Sequence, residues 1–170
     1  MRYCCSRHRI QSGDIILWTG RGMPSKVVRH FTKSDWSHIG IAAWFGPRLM
    51  VLDSFPFRGT RVKLLSHMLR NAYWMPSGAQ WNDEALGFAL DELGKRYGWQ
   101  NLWKTWLGLD LVAREYHCSQ YAAKILERAG LKFSWPPTPA SVARDIGGAI
   151  EPLTLEDVSS CGCGGRHVKV

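Results

Sequence analysis

Three side chains in this 170-residue chain have the chemical types that nucleophilic acyl transfer needs, a thiol, an imidazole and a carboxylate. Cys118 stands at the predicted start of a helix, where unpaired backbone N–H groups and the helix dipole favour a thiolate. His38 is the polar member of an otherwise apolar strand face, and Asp53 lies on the next predicted strand. Neighbouring strands bring side chains within about 5 Å, so a carboxylate at position 53 can orient the imidazole.

Each of these residues also has a structural explanation. Cys118 opens an apolar helical stripe and can be a buried core thiol. His38 can be a core histidine that hydrogen-bonds a backbone carbonyl, and Asp53 can be a turn residue at the end of a strand. Position alone does not decide between the two interpretations.

The first half of the chain predicts a small antiparallel sheet that would carry the imidazole and the carboxylate. Short runs rich in β-branched and aromatic residues are separated by turn signals, and they cover residues 13–18, 36–44, 48–54, 60–64 and 72–75. Gly46 and Pro47 separate the second run from the third, which predicts a hairpin. Residues 25–31 are interpreted as one or two helical turns after the first strand.

The second half predicts helices. Apolar residues recur at spacings of three and four from Trp81 to a stop near Gly94, and again from Cys118 to Gly130. A proline-rich segment then starts a short helix at about Ala140. A sheet followed by helices predicts an α+β fold. We expect one domain over residues 1–158 and a Gly/Cys-rich tail over 159–170 that is disordered or cross-linked.

Four segments occur in an order that resembles a known family. They are Gly-Asp-Ile-Ile-Leu at 13–17, Ser-Asp-Trp-Ser-His-Ile-Gly-Ile at 34–41, Val-Leu-Asp-Ser at 51–54 and Tyr-His-Cys-Ser-Gln-Tyr at 116–121. The order is similar to that of the circularly permuted NlpC-type papain-like hydrolases, including YiiX-like bacterial proteins and, more distantly, lecithin:retinol acyltransferase. The resemblance runs from about Ser12 to Asp145. It includes residues 94–98, which are similar to the family's Gly-x-x-Tyr-Asp segment, and residues 137–139 after the cysteine helix.

The resemblance implies a permuted papain-like fold in which the histidine strand precedes the cysteine helix. It assigns Cys118 as nucleophile, His38 as general base and Asp53 as the residue that orients the imidazole. The family often has Glu or His at the third position, so the shorter Asp53 is expected to reach His38 less well, and Gly98 replaces the expected Asp. The thiolate would attack an amide or ester carbonyl to give a thioester. The Cys118 backbone N–H and an unassigned side-chain donor would stabilise the oxyanion.

The resemblance implies cell-wall peptides or lipid-linked acyl groups as substrates, with peptide amide hydrolysis ranked first. The chain has 22 Lys and Arg residues and 14 Asp and Glu residues, which gives a net charge of +8. This positive charge would attract an anionic partner of either kind. Three tryptophans follow one another at spacings of four and three residues, namely Trp99, Trp103 and Trp106. They can form an aromatic strip that binds an acyl chain or a glycan, or they can pack in the core. The alternative to an enzyme is an idle structural or binding module of a larger assembly such as a phage tail.

The remaining cysteines raise a separate hypothesis. Cys4 and Cys5 lie near one end of the chain, and Cys161 and Cys163 near the other. Together they could hold zinc or an iron–sulfur cluster, but neither pair has a standard spacing, so tail thiols or a disulfide are the other interpretation. The proposed catalysis needs no cofactor.

Composition also narrows the compartment and the partners. The basic residues are scattered and accompany no helix-turn-helix or zinc-finger pattern, which argues against nucleic-acid binding. The sequence contains no apolar run of about 18 residues and no signal-peptide pattern behind its basic first residues. We therefore expect no transmembrane segment, and a protein that is cytoplasmic as made or delivered as part of a phage particle.

Overall fold

The computed structural model describes Tyr3 and residues 7–20, 35–98 and 116–154. These residues form a six-stranded antiparallel sheet with strand order β4-β3-β2-β1-β5-β6, together with three α-helices. The strands are β1 (Ile15–Trp18), β2 (His38–Phe45), β3 (Arg48–Phe55), β4 (Gly59–Leu64), β5 (Ala72–Met75) and β6 (Glu151–Leu153). The helices are α1 (Asp83–Asp91), α2 (Cys118–Arg128) and α3 (Pro139–Ile146). The predicted α+β class is confirmed.

The hairpin of β2 and β3 forms as the sequence predicts. Phe45 lies opposite Arg48 and Gly40 lies opposite Asp53. Gly46 in the two-residue turn has a φ of +56°, a conformation that glycine adopts without a steric penalty. A Cβ atom added to Gly40 would lie 2.6 Å from the Val51 Cγ1 atom, so glycine at this position allows β2 and β3 to pack closely.

Each face of the sheet packs against a separate hydrophobic cluster, as the alternation of side chains along the strands requires. The face that packs against α2 includes Ile15, Leu17, Ile39 and Ile41. The opposite cluster includes Ile16, Trp18, Ala42, Val51 and Leu65. All four residues of β1 are buried, because this strand lies inside the sheet and both of its faces are covered.

The three helices have clear signals at their ends. The Asn82 side chain accepts a hydrogen bond from the Ala85 backbone N–H at 2.8 Å at the start of α1. The Thr138 hydroxyl accepts one from the Ser141 N–H at 3.0 Å at the start of α3, with Pro139 as the first helical residue. The helix beginning at Cys118 is confirmed, whereas α1 ends at Asp91, three residues before Gly94.

Several sequence-based predictions have other outcomes. Strand β6 was not predicted, since it has three residues with proline in the middle, and it pairs with β5 at the sheet edge. Four predictions concern residues outside the part of the chain that the structure describes. They are the helical turns at 25–31, the strip formed by Trp99, Trp103 and Trp106, the four terminal cysteines and the tail from 159. Within the described ranges, no helix is long and apolar enough to cross a membrane.

Candidate active site

Contacts from three directions fix the start of α2. The Ser54 hydroxyl of β3 donates a hydrogen bond to the Tyr116 carbonyl at 2.7 Å, two residues before Cys118. The Gly98 N–H donates to the same carbonyl at 3.3 Å. Along the helix, the Tyr121 hydroxyl donates to the Ala89 carbonyl of α1 at 2.6 Å. The first residue of α2, Cys118, is therefore held against the sheet.

His38 and Asp53 are joined directly. The His38 Nε2 atom lies 2.7 Å from the Asp53 Oδ2 atom, and the carboxylate is fully buried. Asp53 pairs with Gly40, two residues along β2 from His38, so the contact runs diagonally across the hairpin. The sequence predicted that an aspartate would reach this histidine less well than a glutamate, but the carboxylate lies within full hydrogen-bonding distance of the ring.

Arg61 is a partner of Asp53 that the sequence analysis missed. It lies directly across from Asp53 on β4. Its Nε donates to Oδ1 at 2.7 Å and its Nη2 donates to Oδ2 at 3.0 Å, which is a bidentate pair. Burial acts to raise the pKa of Asp53, but the hydrogen bonds and charges of His38 and Arg61 outweigh it and hold that pKa below its ordinary value. Asp53 is thus a carboxylate at neutral pH.

The side chain of Cys118 is electrostatically coupled to His38 and acts to raise the pKa of the imidazole. Because Nε2 is occupied by Asp53, Nδ1 is the ring nitrogen left to exchange a proton with the thiol. Burial acts to lower the pKa of His38, but hydrogen bonds with Asp53 and Cys118 and the charges of both raise it to about 10. The structure thus brings together Cys118, His38 and Asp53, the three residues that the sequence analysis selected.

The pKa of the Cys118 thiol shifts in the opposite direction to that of His38. Burial acts to raise the pKa of Cys118, but hydrogen bonds from His117 and His38, with their charges, lower it to about 5. Since the pKa of His38 lies above that of Cys118, the proton resides on the imidazole at neutral pH. The pair is a thiolate and an imidazolium, the reactive form of a cysteine nucleophile.

Two further side chains are coupled to Cys118, and neither was given a role from the sequence. The Tyr97 side chain interacts with the side chain and the backbone of Cys118. Burial and the negative charge of Cys118 raise the pKa of Tyr97 well above its ordinary value, so the hydroxyl keeps its proton. The His117 side chain is the other group that acts to lower the pKa of Cys118. The signals were present in the Gly-x-x-Tyr resemblance at 94–98 and in a histidine next to the nucleophile.

Aromatic rings enclose the imidazole. The Trp18 ring lies 5.2 Å from the His38 ring, and the edge-on Phe55 ring lies 5.4 Å away, both measured between centroids. Phe55 also packs against the Arg61 guanidinium, whose carbon lies 4.2 Å from the ring centroid. These contacts leave 12% of the His38 side chain exposed, so a substrate can reach the site while bulk water is largely excluded.

Structural comparison identifies a similar fold in the crystal structure of the metalloprotein YiiX from Escherichia coli O157:H7. The TM-score is 0.56 at 19% sequence identity, over 71% of this chain and 66% of that one, just under two thirds of its length. This likeness shows that the two proteins share a fold. No curated protein matches the chain significantly.

The YiiX structure is titled a metalloprotein, which raises the question whether side chains of this protein can hold a metal ion. In the part of the chain that the structure describes, no three His, Cys, Asp or Glu side chains group as metal ligands. Cys4, Cys5, Cys161 and Cys163 lie outside that part. The described residues therefore do not fit a metal ion.

The sequence pattern of one family covers most of the chain. The permuted papain-like amidases of the YaeF/YiiX, C92 family match residues 9–138, a range that contains His38, Asp53 and Cys118. Members of this family are papain-like amidases or cysteine peptidases. The chain belongs to the permuted papain-like amidase family C92, which also includes YaeF and YiiX.

Proposed function

We propose that this protein is a cysteine amidase that cleaves amide bonds in cell-wall peptides through a thioester on Cys118. The observation that carries the proposal is the hydrogen bond between His38 and Asp53, together with the electrostatic coupling of His38 to Cys118. The amidase family supports the bond type. The net charge of +8 supports an acidic polymer as the substrate, because a positive surface raises the local concentration of polyanions.

Acylation begins from the thiolate–imidazolium pair. The Cys118 sulfur attacks the carbonyl carbon, and the carbonyl π electrons move to oxygen to give a tetrahedral oxyanion. The oxyanion collapses as His38 gives its proton to the leaving nitrogen. The C–N bond then breaks, the amine departs and a thioester remains on Cys118. Asp53 holds the imidazole in the required tautomer throughout.

Deacylation uses the same residues in reverse. Neutral His38 takes a proton from water as the water oxygen attacks the thioester carbonyl, and collapse breaks the C–S bond to release an acid and restore the thiolate. We assign the Cys118 backbone N–H and the Tyr97 hydroxyl as the oxyanion donors. Tyr97 interacts with Cys118, and burial keeps its hydroxyl protonated, so it can donate to the oxyanion when substrate binds.

The test of this function is hydrolysis of purified peptidoglycan by the full chain. New amino groups and soluble fragments are measured by amine labelling and mass spectrometry. We expect release by the wild type and by Lys63→Ala, an exposed control on β4, and none by Cys118→Ala. Equal release by Cys118→Ala would rule out the thioester mechanism.

A lipid-linked acyl substrate is the second candidate. The observation that favours it is the turn between β3 and β4, where Phe55 contacts the His38 ring and is 38% exposed, and Phe57 is 88% exposed. Apolar side chains beside the site suit an acyl chain. Parallel assays on phospholipid vesicles and on an acylated peptide separate this candidate from the first, and an idle module would turn over none of the three substrates.

A further inference from the structure

Ser54 carries a fully buried hydroxyl to which the mechanism above gives no role. Its Oγ atom donates a hydrogen bond to the Tyr116 carbonyl at 2.7 Å, and this carbonyl lies two residues before Cys118. The preceding residue of β3 is Asp53, which bonds His38. Two consecutive residues of one strand therefore hold the two halves of the active site.

This arrangement leaves little freedom between the imidazole and the start of α2. Successive side chains of a strand point to opposite faces, so Asp53 and Ser54 can hold groups on the two sides of β3. Their Cα atoms are one peptide unit apart, which is about 3.8 Å. The position of the Tyr116 backbone relative to Asp53 is thus set by a short and rigid piece of strand.

The neighbouring strand supports the same contact. Thr60 lies opposite Ser54 on β4. The Thr60 N–H donates to the Lys95 carbonyl at 2.9 Å, and the Lys95 N–H donates to the Thr60 hydroxyl at 3.0 Å. Three residues further along the chain, the Gly98 N–H donates to the Tyr116 carbonyl at 3.3 Å. Both donors to this carbonyl are therefore anchored on the Ser54–Thr60 pair, and the bond from Ser54 is the shorter.

We propose that Ser54 is a positioning residue, whose hydroxyl acts through the Tyr116 carbonyl to hold Cys118 in place for proton exchange with His38. The inference rests on the proposed acyl transfer. A displacement of about 1 Å at a reacting group can cost about 10²-fold in rate, so a contact that fixes the start of α2 matters for the chemistry. Because Ser54 is fully buried, it does not contact the substrate and acts on kcat more than on KM.

The test compares Ser54→Ala with Ser77→Ala in the full chain. Ser77 is also buried, and its hydroxyl accepts a hydrogen bond from the Ala79 N–H at 3.0 Å in the loop after β5. The readout is the pH dependence of Cys118 alkylation by iodoacetamide, measured at the Cys118 peptide by mass spectrometry. We expect the midpoint to rise by about one pH unit in Ser54→Ala, a tenfold change in the thiolate equilibrium, and to match the wild type in Ser77→Ala.

An unchanged midpoint in Ser54→Ala would overturn the proposal, because a merely structural hydrogen bond would lower the stability of both variants and leave the thiol as it is. If Ser54→Ala does not fold, Ser54→Thr and Ser54→Val decide, since the two side chains have the same shape and only threonine has the hydroxyl. Threonine should keep the wild-type midpoint and valine should raise it. Equal midpoints in these two variants would also overturn the proposal.

Alkylation does not depend on turnover, so the experiment separates this proposal from the proposed function. A low midpoint in the wild type that Ser54→Ala leaves unchanged would count against Ser54 alone. A wild-type midpoint at the ordinary value of a free thiol would count against the nucleophile and the positioning role together. Loss of peptidoglycan hydrolysis with the expected alkylation profile would count against the substrate alone. On an identified substrate, Ser54→Ala should lower kcat about 10²-fold and leave KM within about twofold of the wild type.

Discussion

Asp14 and Asp53 are both buried carboxylates next to the sheet, and their partners differ in kind. Asp14 Oδ2 accepts hydrogen bonds from the Gln11 N–H and the Trp74 indole N–H, each at 2.8 Å, and its Oδ1 accepts one from the Ser77 N–H at 3.1 Å. These three donors are neutral and do not titrate. Asp53 is instead bonded to an imidazole and a guanidinium.

The difference shows why burial of a carboxylate does not by itself indicate catalysis. The neutral donors around Asp14 tie together the residues before β1, strand β5 and the loop after it, which is a structural role. The partner of Asp53 can gain and lose a proton and leads on to a thiol. A titratable partner that leads to a nucleophile marks the second carboxylate as part of a reactive site.

The largest expected effect comes from Asp53→Asn. Asparagine is similar in size but lacks the charge that stabilises the imidazolium and selects its tautomer. We expect turnover to fall about 10⁴-fold, the loss seen when the orienting carboxylate of a catalytic triad is replaced by its amide. Steady-state hydrolysis of the substrate identified in the peptidoglycan or lipid assay provides the measurement. A loss smaller than tenfold would remove Asp53 from the catalytic unit.

Arg61→Met should have a smaller effect on turnover and a clear effect on stability. It leaves the buried Asp53 with His38 as its remaining charged partner, and loss of one member of a buried ion pair costs about 3–5 kcal/mol. Urea unfolding measures this cost. Arg61→Lys, which keeps the charge but not the bidentate geometry, should recover part of it. Equal stability of Arg61→Met and the wild type would contradict this account of the pair.

Asp14→Asn should affect stability alone. One acceptor oxygen becomes an NH₂ group that faces N–H donors, so we expect a loss of about 1–3 kcal/mol in the free energy of unfolding. Turnover per folded molecule should stay within about twofold of the wild type, because the side-chain hydrogen bonds of Asp14 go to Gln11, Trp74 and Ser77 and not to Cys118 or His38. A loss of turnover comparable to that of Asp53→Asn would break the contrast between the two carboxylates.

The smallest effect is a pH dependence of stability. The pKa of His38 is raised from 6.5 to about 10, so its stabilisation is complete below pH 6.5 and is lost as the pH rises to about 10. The pKa of Cys118 is lowered from 9.0 to about 5, so its stabilisation is complete above pH 9.0 and is lost as the pH falls to about 5. The two trends cancel between pH 6.5 and 9.0, where stability should be level.

Outside the range from pH 6.5 to 9.0 only one of the two groups changes its protonation on unfolding. The contribution of the Cys118–His38 pair to the free energy of unfolding should therefore decline from pH 6.5 to 5 and from pH 9 to 10. The measurement is the difference in unfolding free energy between the wild type and the double variant His38→Ala/Cys118→Ser across this range. The double variant lacks both titrating groups of the pair, so the subtraction leaves the contribution of the pair. A steady slope through neutral pH would contradict the ion pair.

The central strands and the three selected residues could be predicted from local signals. Apolar alternation and the Gly-Pro turn identify the β2–β3 hairpin, and that hairpin brings His38 and Asp53 together. The apolar period after Cys118 identifies α2 and places the thiol at its first turn. The order of the segments along the chain then predicts the permuted arrangement of the family.

The partners that the sequence did not reveal depend on register and on long-range packing. Arg61 and Lys63 point to the same side of β4, and only the strand register decides that Arg61 lies opposite Asp53. Tyr97 reaches Cys118 through a bridge between Tyr97 and Tyr116, which no local pattern specifies. Strand β6 is too short, and interrupted by Pro152, to have a strand signal of its own.

The most direct test of the central claim is a titration of the Cys118 thiolate by its ultraviolet absorbance, taken as the difference between the wild type and Cys118→Ala. The thiolate–imidazolium pair predicts a midpoint at about pH 5 in the wild type and a marked rise in His38→Ala. A wild-type midpoint near 9.0, the ordinary value for a thiol, would show that Cys118 and His38 do not share a proton as an ion pair.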